Sequence, residues 1–273
     1  MKDIIKEAIG TTLIYFKPKK ASRLSEMGMT IDVDLDLEER LMRYSILKKA
    51  EKTKNYEVLA EYHQNYWKNK GASFFENTQS KFVEDFLPNC SFLFDYLEDE
   101  LKKSTVNYDK LVEIGTGSGE VLEYLASKLT KVSDFIGLDL SKEQIDLNIK
   151  KYSQNTSMFF EAEDGLEWIL ENGSDNMVIV TSKGVLEYFT QKRLSKFFGT
   201  LSGFENIVIA AIEPIAYEHD FEKNSDSIPY GLERSFSHNY KKMLTQAGFS
   251  LWHYSLKDSK AYKHKLSFIG ASK

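Results

Sequence analysis

The second half of the chain alternates short β-rich runs with longer runs of helical spacing. From about Lys110 onward, runs rich in β-branched and aromatic residues are separated by amphipathic stretches. Such alternation is typical of βαβ units stacked on a mostly parallel sheet. The sequence therefore predicts an α/β fold with a seven-stranded sheet. The predicted strands are KLVEI, DFIGLD, SMFFEA, NMVIVT, NIVIAAIE, SLWHYSL and KLSFIGA.

The last two predicted strands are joined in a different way from the others. Only the short polar link KDSKAYKH lies between them, and a crossover to a parallel strand needs a dozen residues or more. We therefore expect the mostly parallel sheet to end in an antiparallel terminal hairpin.

The chain before this point has a different character. It shows helical periodicity, many Tyr, Phe and Trp residues and no βαβ alternation, so we predict a helical N-terminal region at residues 1–105 and an α/β domain at residues 106–273. The segment EYHQNYWKNKGASFF allows two interpretations: a helix-packing core, or a lid whose rings close over a ligand. Its aromatic residues are Tyr62, Tyr66, Trp67, Phe74 and Phe75.

Composition excludes several classes of partner. The net charge of -5 across 273 residues leaves no basic footprint for nucleic acid. A single cysteine, Cys90, excludes an internal disulfide and a cysteine-cluster metal site, and we expect it to be buried. No apolar run approaches the length of a membrane span, and charges interrupt the N-terminal apolar residues, so we expect a cytoplasmic protein with no membrane partner.

A glycine-rich turn follows the first predicted strand. In VEIGTGSGE the glycines are Gly115, Gly117 and Gly119, so the third glycine comes one residue earlier than in the dinucleotide fingerprint G-x-G-x-x-G. Glu113 and Glu120 flank the turn and would repel a pyrophosphate but attract a cation. S-adenosylmethionine carries a sulfonium and an ammonium and no phosphate, so this turn favours it over a nicotinamide dinucleotide.

Four segments in order resemble one protein family. VEIGTGSGE resembles the E/D-x-G-x-G-x-G motif of the class I (Rossmann-like) S-adenosylmethionine-dependent methyltransferases, and GLDLS, EAEDG and VTSKGVLEYF follow in the family's order. The resemblance covers residues 110–273 and implies an S-adenosylmethionine cofactor. It also implies that the helical N-terminal region is a lid that shapes the acceptor pocket.

The resemblance further implies a set of cofactor-binding residues. The glycine turn and the residues after the fourth strand would meet the methionyl group, Asp139 the ribose hydroxyls, and Asp164 the adenine amino group. Asp139 and Asp164 could instead each cap a helix, and Glu113 could be a strand-end charge. The implied set is Glu113, Gly115, Thr116, Gly117, Gly119, Asp139, Leu140, Glu163, Asp164, Gly165, Ser182 and Lys183.

The catalytic residues are harder to assign. VLEYF resembles a VLEH segment of small-molecule methyltransferases, with Tyr188 in place of the usual histidine beside Glu187. We expect His238, which stands at the start of a predicted helix after the fifth strand, to be the general base, with Glu187, Tyr188 or His219 as alternatives. A neutral amine acceptor would need no base in the rate-limiting step.

The sequence predicts a methyltransferase that acts on an O or N atom of a small metabolite, such as a sugar or a natural-product intermediate. The fourth strand is followed by Ser182 and Lys183 rather than by acids or a proline-rich amine box, so neither a metal nor a nucleic-acid base is expected as a ligand. Two rival functions stay open: an NAD(P)-dependent oxidoreductase and a non-catalytic methyltransferase-like binding subunit. The sequence leaves the acceptor and the oligomeric state undetermined.

Overall fold

The structure of the chain is a computed structural model. It describes residues 2–30, 35–76, 81–182, 184–259 and 264–273. Among these residues, no helix combines the length and the apolar content needed to cross a lipid bilayer.

A seven-stranded sheet forms the centre of the molecule. Strands β1 to β5 are parallel and are arranged in the order β3-β2-β1-β4-β5, and β9 and β8 complete the sheet with antiparallel pairing. The sheet confirms the predicted α/β fold and its antiparallel terminal hairpin. A separate two-stranded hairpin, β6–β7, was not predicted. The strands are β1 (Lys110–Ile114), β2 (Asp134–Asp139), β3 (Met158–Ala162), β4 (Met177–Ser182), β5 (Val208–Ala216), β6 (Ile228–Tyr230), β7 (Ser235–Ser237), β8 (Ser250–Ser259) and β9 (His264–Ser272).

Helices precede the sheet and cover both of its faces. A π-helical turn at Phe82–Phe86 precedes α5, and a 3₁₀ turn at Leu186–Tyr188 follows β4. The helices are α1 (Lys2–Phe16), α2 (Pro18–Met27), α3 (Leu37–Lys52), α4 (Tyr56–Glu76), α5 (Leu87–Cys90), α6 (Phe92–Lys103), α7 (Glu120–Lys128), α8 (Lys142–Lys151), α9 (Gly165–Asn172), α10 (Gln191–Leu201) and α11 (Tyr240–Gln246).

The central strands are buried on both faces, as expected for a parallel sheet covered by helices. In β4, Ile179 packs in a cluster with α9, α10 and α11, whereas Val178 and Val180 pack in a second cluster with α6 and α7. Cys90, as predicted, is buried in this second cluster.

Helix α6 packs with the sheet rather than with the preceding helices. Leu93, Phe94 and Leu97 of α6 are fully buried in the second cluster described above, which includes Val178 and Val180 of β4. The ring of Phe92 lies 4.6 Å from that of Phe268 in β9. Helices α1 to α4 share a different cluster. We therefore propose that the α/β domain begins near residue 82 instead of at residue 106.

The hairpin β6–β7 joins helices α1 to α4 to form one unit, which we call the cap. Phe236 of β7 is buried in the cluster of the N-terminal helices. The Arg43 guanidinium donates a hydrogen bond to the Leu232 carbonyl at 3.2 Å, and the Arg234 guanidinium pairs with Glu51 at 3.0 Å. These contacts fix the tip of the hairpin against α3.

Candidate functional site

A cavity of about 250 Å³ lies between the carboxyl ends of the parallel strands and the cap. Ligands of open α/β sheets bind at this edge, where the strand order reverses beside β1. Helix α4 and the hairpin tip supply its outer wall. The described residues that line it are Gln64, Trp67, Phe74, Phe75, Ile114, Gly115, Leu138, Asp139, Leu140, Glu163, Asp164, Gly165, Ser182, Gly184, Val185, Tyr188, Phe189 and Glu233.

The glycine turn lies at the floor of the cavity and requires glycine for two reasons. Gly115 and Gly117 have positive φ angles of 71° and 52°, which residues other than glycine rarely adopt. An added Cβ at Gly115 would approach Val185 to 2.5 Å, and one at Gly117 would approach Phe75 to 2.6 Å. The turn therefore lets α4 and the segment after β4 lie directly on the backbone.

Asp139 closes β2 and holds the glycine turn in place. Its Oδ2 accepts a hydrogen bond from the Gly117 N–H at 3.0 Å, and its Oδ1 accepts one from the Ser141 N–H at 2.9 Å. The side chain is buried yet borders the cavity, and burial raises its pKa. Each carboxylate oxygen has a second lone pair, so Asp139 can still accept hydroxyl hydrogen bonds. The helix N-cap at this position is Ser141 and not Asp139.

Glu113 is a buried support for the turn rather than part of the cavity wall. Its two oxygens accept hydrogen bonds from the Thr116 hydroxyl at 2.7 Å and the Ser182 hydroxyl at 2.8 Å. Burial raises the pKa of this carboxyl to about 8, although both hydroxyls favour the charged form. Glu113 thus links the turn after β1 to the end of β4, where Ser182 reaches the cavity.

The acids after β3 have separate positions. Asp164 caps α9 by accepting hydrogen bonds from the Leu166 and Glu167 N–H groups, and it also pairs with the Arg193 guanidinium. Glu163 lines the same end of the cavity with a side chain that is largely exposed. Asp164 therefore acts as a helix cap in this structure and reaches the cavity edge as well.

Aromatic side chains of α4 form the wall on the cap side of the cavity. The ring of Trp67 lies 6.0 Å from that of Phe75, 5.3 Å from that of Phe74 and 5.7 Å from that of Tyr188. Trp67 Nε1 is buried and has no hydrogen-bond acceptor in the described part of the chain. Trp67, Phe74 and Phe75 of α4 face the cavity, whereas Tyr62 of the same helix packs against the core of the cap.

A tyrosine and a carboxylate meet at the outer end of the cavity. The Tyr188 hydroxyl donates a hydrogen bond to Glu233 Oε2 at 3.1 Å, and both side chains line the cavity. The preceding residue, Glu187, points into the protein and accepts a hydrogen bond from the Tyr230 hydroxyl at 2.8 Å. Burial raises the pKa of Glu187 to about 8. Glu233 could not be predicted from the sequence, because it lies in a hairpin that has no motif.

His238 does not occupy the position expected of a general base. It is fully buried, is not among the residues that line the cavity, and its Nδ1 lies 2.6 Å from the Ser227 hydroxyl. Burial lowers its pKa to about 3. The chain segment was expected near the substrate face, but β7 turns this side chain inward, so we revise its role to a structural one.

Two further predictions were that Lys183 binds the cofactor and that no metal is bound. Lys183 lies outside the described residues. Among the described residues, no cluster of three or more His, Cys, Asp or Glu side chains is arranged to hold a metal ion.

The part of the chain that forms the sheet side of this cavity is similar to a known protein family. Residues 111–203 match the family profile described as a methyltransferase domain. Over this stretch the chain is similar to methyltransferase domains. That stretch includes the glycine turn, Asp139, Asp164 and the 3₁₀ turn with Tyr188. A comparison with curated protein sequences gives no match.

Solved structures with a similar fold include two methyltransferases. One, from Galdieria sulphuraria and provisionally assigned as a sarcosine dimethylglycine methyltransferase, shares 13% identity at a TM-score of 0.53, with 70% of this chain and 87% of that chain covered. The other, magnesium protoporphyrin IX methyltransferase from Synechocystis PCC 6803 with bound S-adenosylhomocysteine, shares 14% identity at a TM-score of 0.50, covering 77% and 97%. At these identities the similarity concerns the fold of the methyltransferase domain.

Proposed function

We propose that this protein transfers a methyl group from S-adenosylmethionine to an O or N atom of a small metabolite. One observation carries the proposal: a single cavity joins the glycine turn and Asp139 on the sheet side to an aromatic and carboxylate wall on the cap side. A cofactor site and an acceptor site that share one enclosed space are what a direct transfer between two bound molecules requires.

The residues of the sheet side fit the cofactor. Asp139 offers carboxylate lone pairs for the two ribose hydroxyls, and Gly115 borders the cavity where the methionyl part would lie. Glu163 and Asp164 lie at the end of the cavity where the adenine amino group would lie. The buried N–H of Trp67 lacks an acceptor among the described residues, so an oxygen of a bound ligand would satisfy it.

The cap side supports a role in enclosing the acceptor. Phe75 packs on Gly117, and Gly71 of the same helix lies so close to α8 that an added Cβ would approach the Ser141 Cβ to 3.1 Å. Helix α4 therefore contributes to the cofactor cleft as well as to the acceptor pocket. Rings at this position exclude water from the reacting atoms.

Positioning accounts for most of the proposed catalysis. When bound, S-adenosylmethionine supplies a methyl group that its sulfonium has already activated. The chain needs to hold the acceptor atom in line and to take up a proton where one is released. Of the residues at the outer end, Tyr188 and Glu233 face the cavity and can meet the acceptor, whereas Glu187 supports Tyr230 from behind.

The test is a transfer assay with fractionated small metabolites. Incubation with S-adenosylmethionine should produce S-adenosylhomocysteine together with one metabolite whose mass has increased by one methylene group. Asp139→Ala should reduce both products in parallel. Calorimetry that detects binding of S-adenosylhomocysteine without turnover in any fraction would favour the non-catalytic binding subunit. Binding of NAD or NADP alone would favour the oxidoreductase.

A further inference from the structure

We propose that the protein forms a homodimer in which the outer face of α1 packs, antiparallel, on the same face of a second copy. The inference concerns a surface of the cap that lies apart from the cavity, since none of the described residues that line the cavity belongs to α1. It does not depend on methyl transfer. Three features of α1 carry it: the exposed apolar area of its outer face, the placement of its charges, and the symmetry of that face.

The inner face of α1 packs within the cap. An added Cβ at Gly10 would approach the Leu41 carbonyl oxygen to 2.1 Å, so the backbones of α1 and α3 are in close contact. The Ser45 hydroxyl of α3 donates a hydrogen bond to the Glu7 carbonyl oxygen at 2.8 Å. Helix α1 is therefore held firmly on α3, and its opposite face is turned outward.

The outer face of α1 is apolar and exposed. Tyr15 is 79%, Phe16 74% and Ile4 72% exposed, and Ile5 and Ile9 are about half exposed. These residues recur at helical spacing and form one stripe along the helix, with the exposed Ala8 and Thr12 between them. The five large residues together expose roughly 700 Å², close to the area that one partner buries in a standard protein–protein interface and larger than the usual apolar patch of a monomer.

The charged side chains of α1 are directed to α3 and away from this stripe. Lys6 Nζ lies 5.8 Å from the centroid of the Tyr44 ring, and Glu7 pairs with Lys52 at 2.5 Å. Two copies can therefore bring their stripes together without placing like charges against each other. An anionic lipid surface is a poorer occupant, because interfacial helices meet it with Lys and Arg beside the apolar face, and this chain has a net charge of -5.

The stripe is complementary to itself about a twofold axis. Residues eleven apart lie on the same side of an α-helix, because eleven residues make almost three turns. Ile4 and Tyr15 therefore lie along one edge of the stripe, and Ile5 and Phe16 lie along the other. In an antiparallel pair each aliphatic residue then packs on the aromatic residue of the same edge in the other copy. Such a contact is isologous and closes after two copies.

Sedimentation equilibrium of the full-length protein measures the dimer directly. We expect the dimer to predominate at a protein concentration of about 50 µM. Ile4→Lys and Tyr15→Glu each change a largely exposed residue, so both variants should fold, and each should weaken the dimer at least about tenfold. The matched control is Ile149→Lys, at a half-exposed position of α8, which should dimerise as wild type does.

The double variant tests the antiparallel arrangement. If Ile4 meets Tyr15 of the other copy, the introduced lysine and glutamate attract each other across the interface. The loss of affinity in Ile4→Lys/Tyr15→Glu should then be smaller than the product of the two single losses by at least about fivefold. Losses that simply multiply would show that the two positions do not meet and would overturn the arrangement.

The remaining outcomes are equally decisive. A wild-type protein that is mostly monomeric at about 50 µM contradicts the inference. A dimer that both single variants leave intact also contradicts it, because another surface would then form the interface. If a monomeric wild type co-sediments with phosphatidylcholine–phosphatidylglycerol vesicles and Tyr15→Glu does not, the stripe binds lipid instead. None of these results bears on the proposed methyl transfer, which is tested by its own products.

Discussion

The ring of Phe75 lies on the backbone of Gly117, so close that a Cβ added to this glycine would come within 2.6 Å of the Phe75 Cε1. One residue comes from the N-terminal cap and the other from the turn that follows β1. Under the proposed function this contact makes the cap part of the cofactor cleft. The glycine is required by packing as well as by its backbone angle.

Gly117→Ala is therefore expected to weaken binding of S-adenosylhomocysteine by at least roughly tenfold. The φ of 52° costs a residue with a Cβ about 1–2 kcal/mol, and the methyl group must also displace Phe75. The matched control is Gly199→Ala in α10, where an added Cβ meets no neighbour and helix propensity should stabilise the fold by about 1 kcal/mol. Calorimetry measures the affinity of each variant for S-adenosylhomocysteine, and thermal unfolding measures its stability. Equal affinity in Gly117→Ala and wild type would show that the turn does not contact the cofactor.

Buried carboxyls make the ligand-free protein less stable as the pH rises. The pKa of Glu113 is raised from 4.5 to about 8, so the stability that its protonated form contributes is present below about pH 4.5 and is lost as the pH rises through 8. Burial lowers the pKa of His63 to about 4 and that of His238 to about 3. These two histidines therefore make the protein more stable as the pH rises, but only below about pH 6.5. The window from about pH 7 to 8.5 therefore isolates the carboxyl effect.

Glu113→Gln should flatten the fall in unfolding free energy between about pH 7 and 8.5 by about 1 kcal/mol, because the amide keeps a hydrogen-bonding group but cannot ionise. The control, Glu171→Gln, replaces an exposed acid of α9 and should leave the slope unchanged. Denaturant unfolding at several pH values gives the slope. A mutant with the slope of wild type would mean that Glu113 is already charged at neutral pH.

His238 provides a test of its revised role. Asparagine can replace Nδ1 in the hydrogen bond to Ser227, so His238→Asn should fold with a modest loss of stability. If the residue is structural, turnover should stay within roughly threefold of wild type, whereas loss of a positioned base costs about 10²–10⁴ in rate. A fall of a hundredfold with loss of the acidic limb of the pH–rate profile would restore the histidine as the base.

The main elements of the fold were readable from sequence because each carries a local signal. The seven strands and the glycine turn follow from hydrophobic runs and from Gly115 to Gly119, and the short link before the last strand predicts its antiparallel pairing. The hairpin β6–β7 carries no such signal, because its strands have three residues each and one contains Pro229. Its existence depends on contacts with α3 and α4, which only the tertiary structure shows.

Side-chain direction limited the prediction of the site in the same way. Sequence order placed the segment around His238 near the carboxyl ends of the strands, but which residue of the hairpin faces inward depends on register. His238, which was expected to face the substrate, is buried, and Glu233, for which no role was predicted, faces the cavity. In the aromatic cluster of α4, Trp67 lines the cavity and Tyr62 packs in the cap, a difference that the sequence did not predict.

The most direct test of the account is a calorimetric titration of S-adenosylhomocysteine into wild type, Asp139→Ala and Asp146→Ala. Asp139 borders the cavity, and a hydrogen bond to a charged group is worth about 1.5–3 kcal/mol, so Asp139→Ala should weaken binding by roughly ten- to a hundredfold. Asp146→Ala removes an exposed acid of the adjacent α8 and should bind as wild type does. Unchanged affinity in a folded Asp139→Ala protein, or heat from NAD and none from S-adenosylhomocysteine, would contradict the assignment of this cavity as the cofactor site.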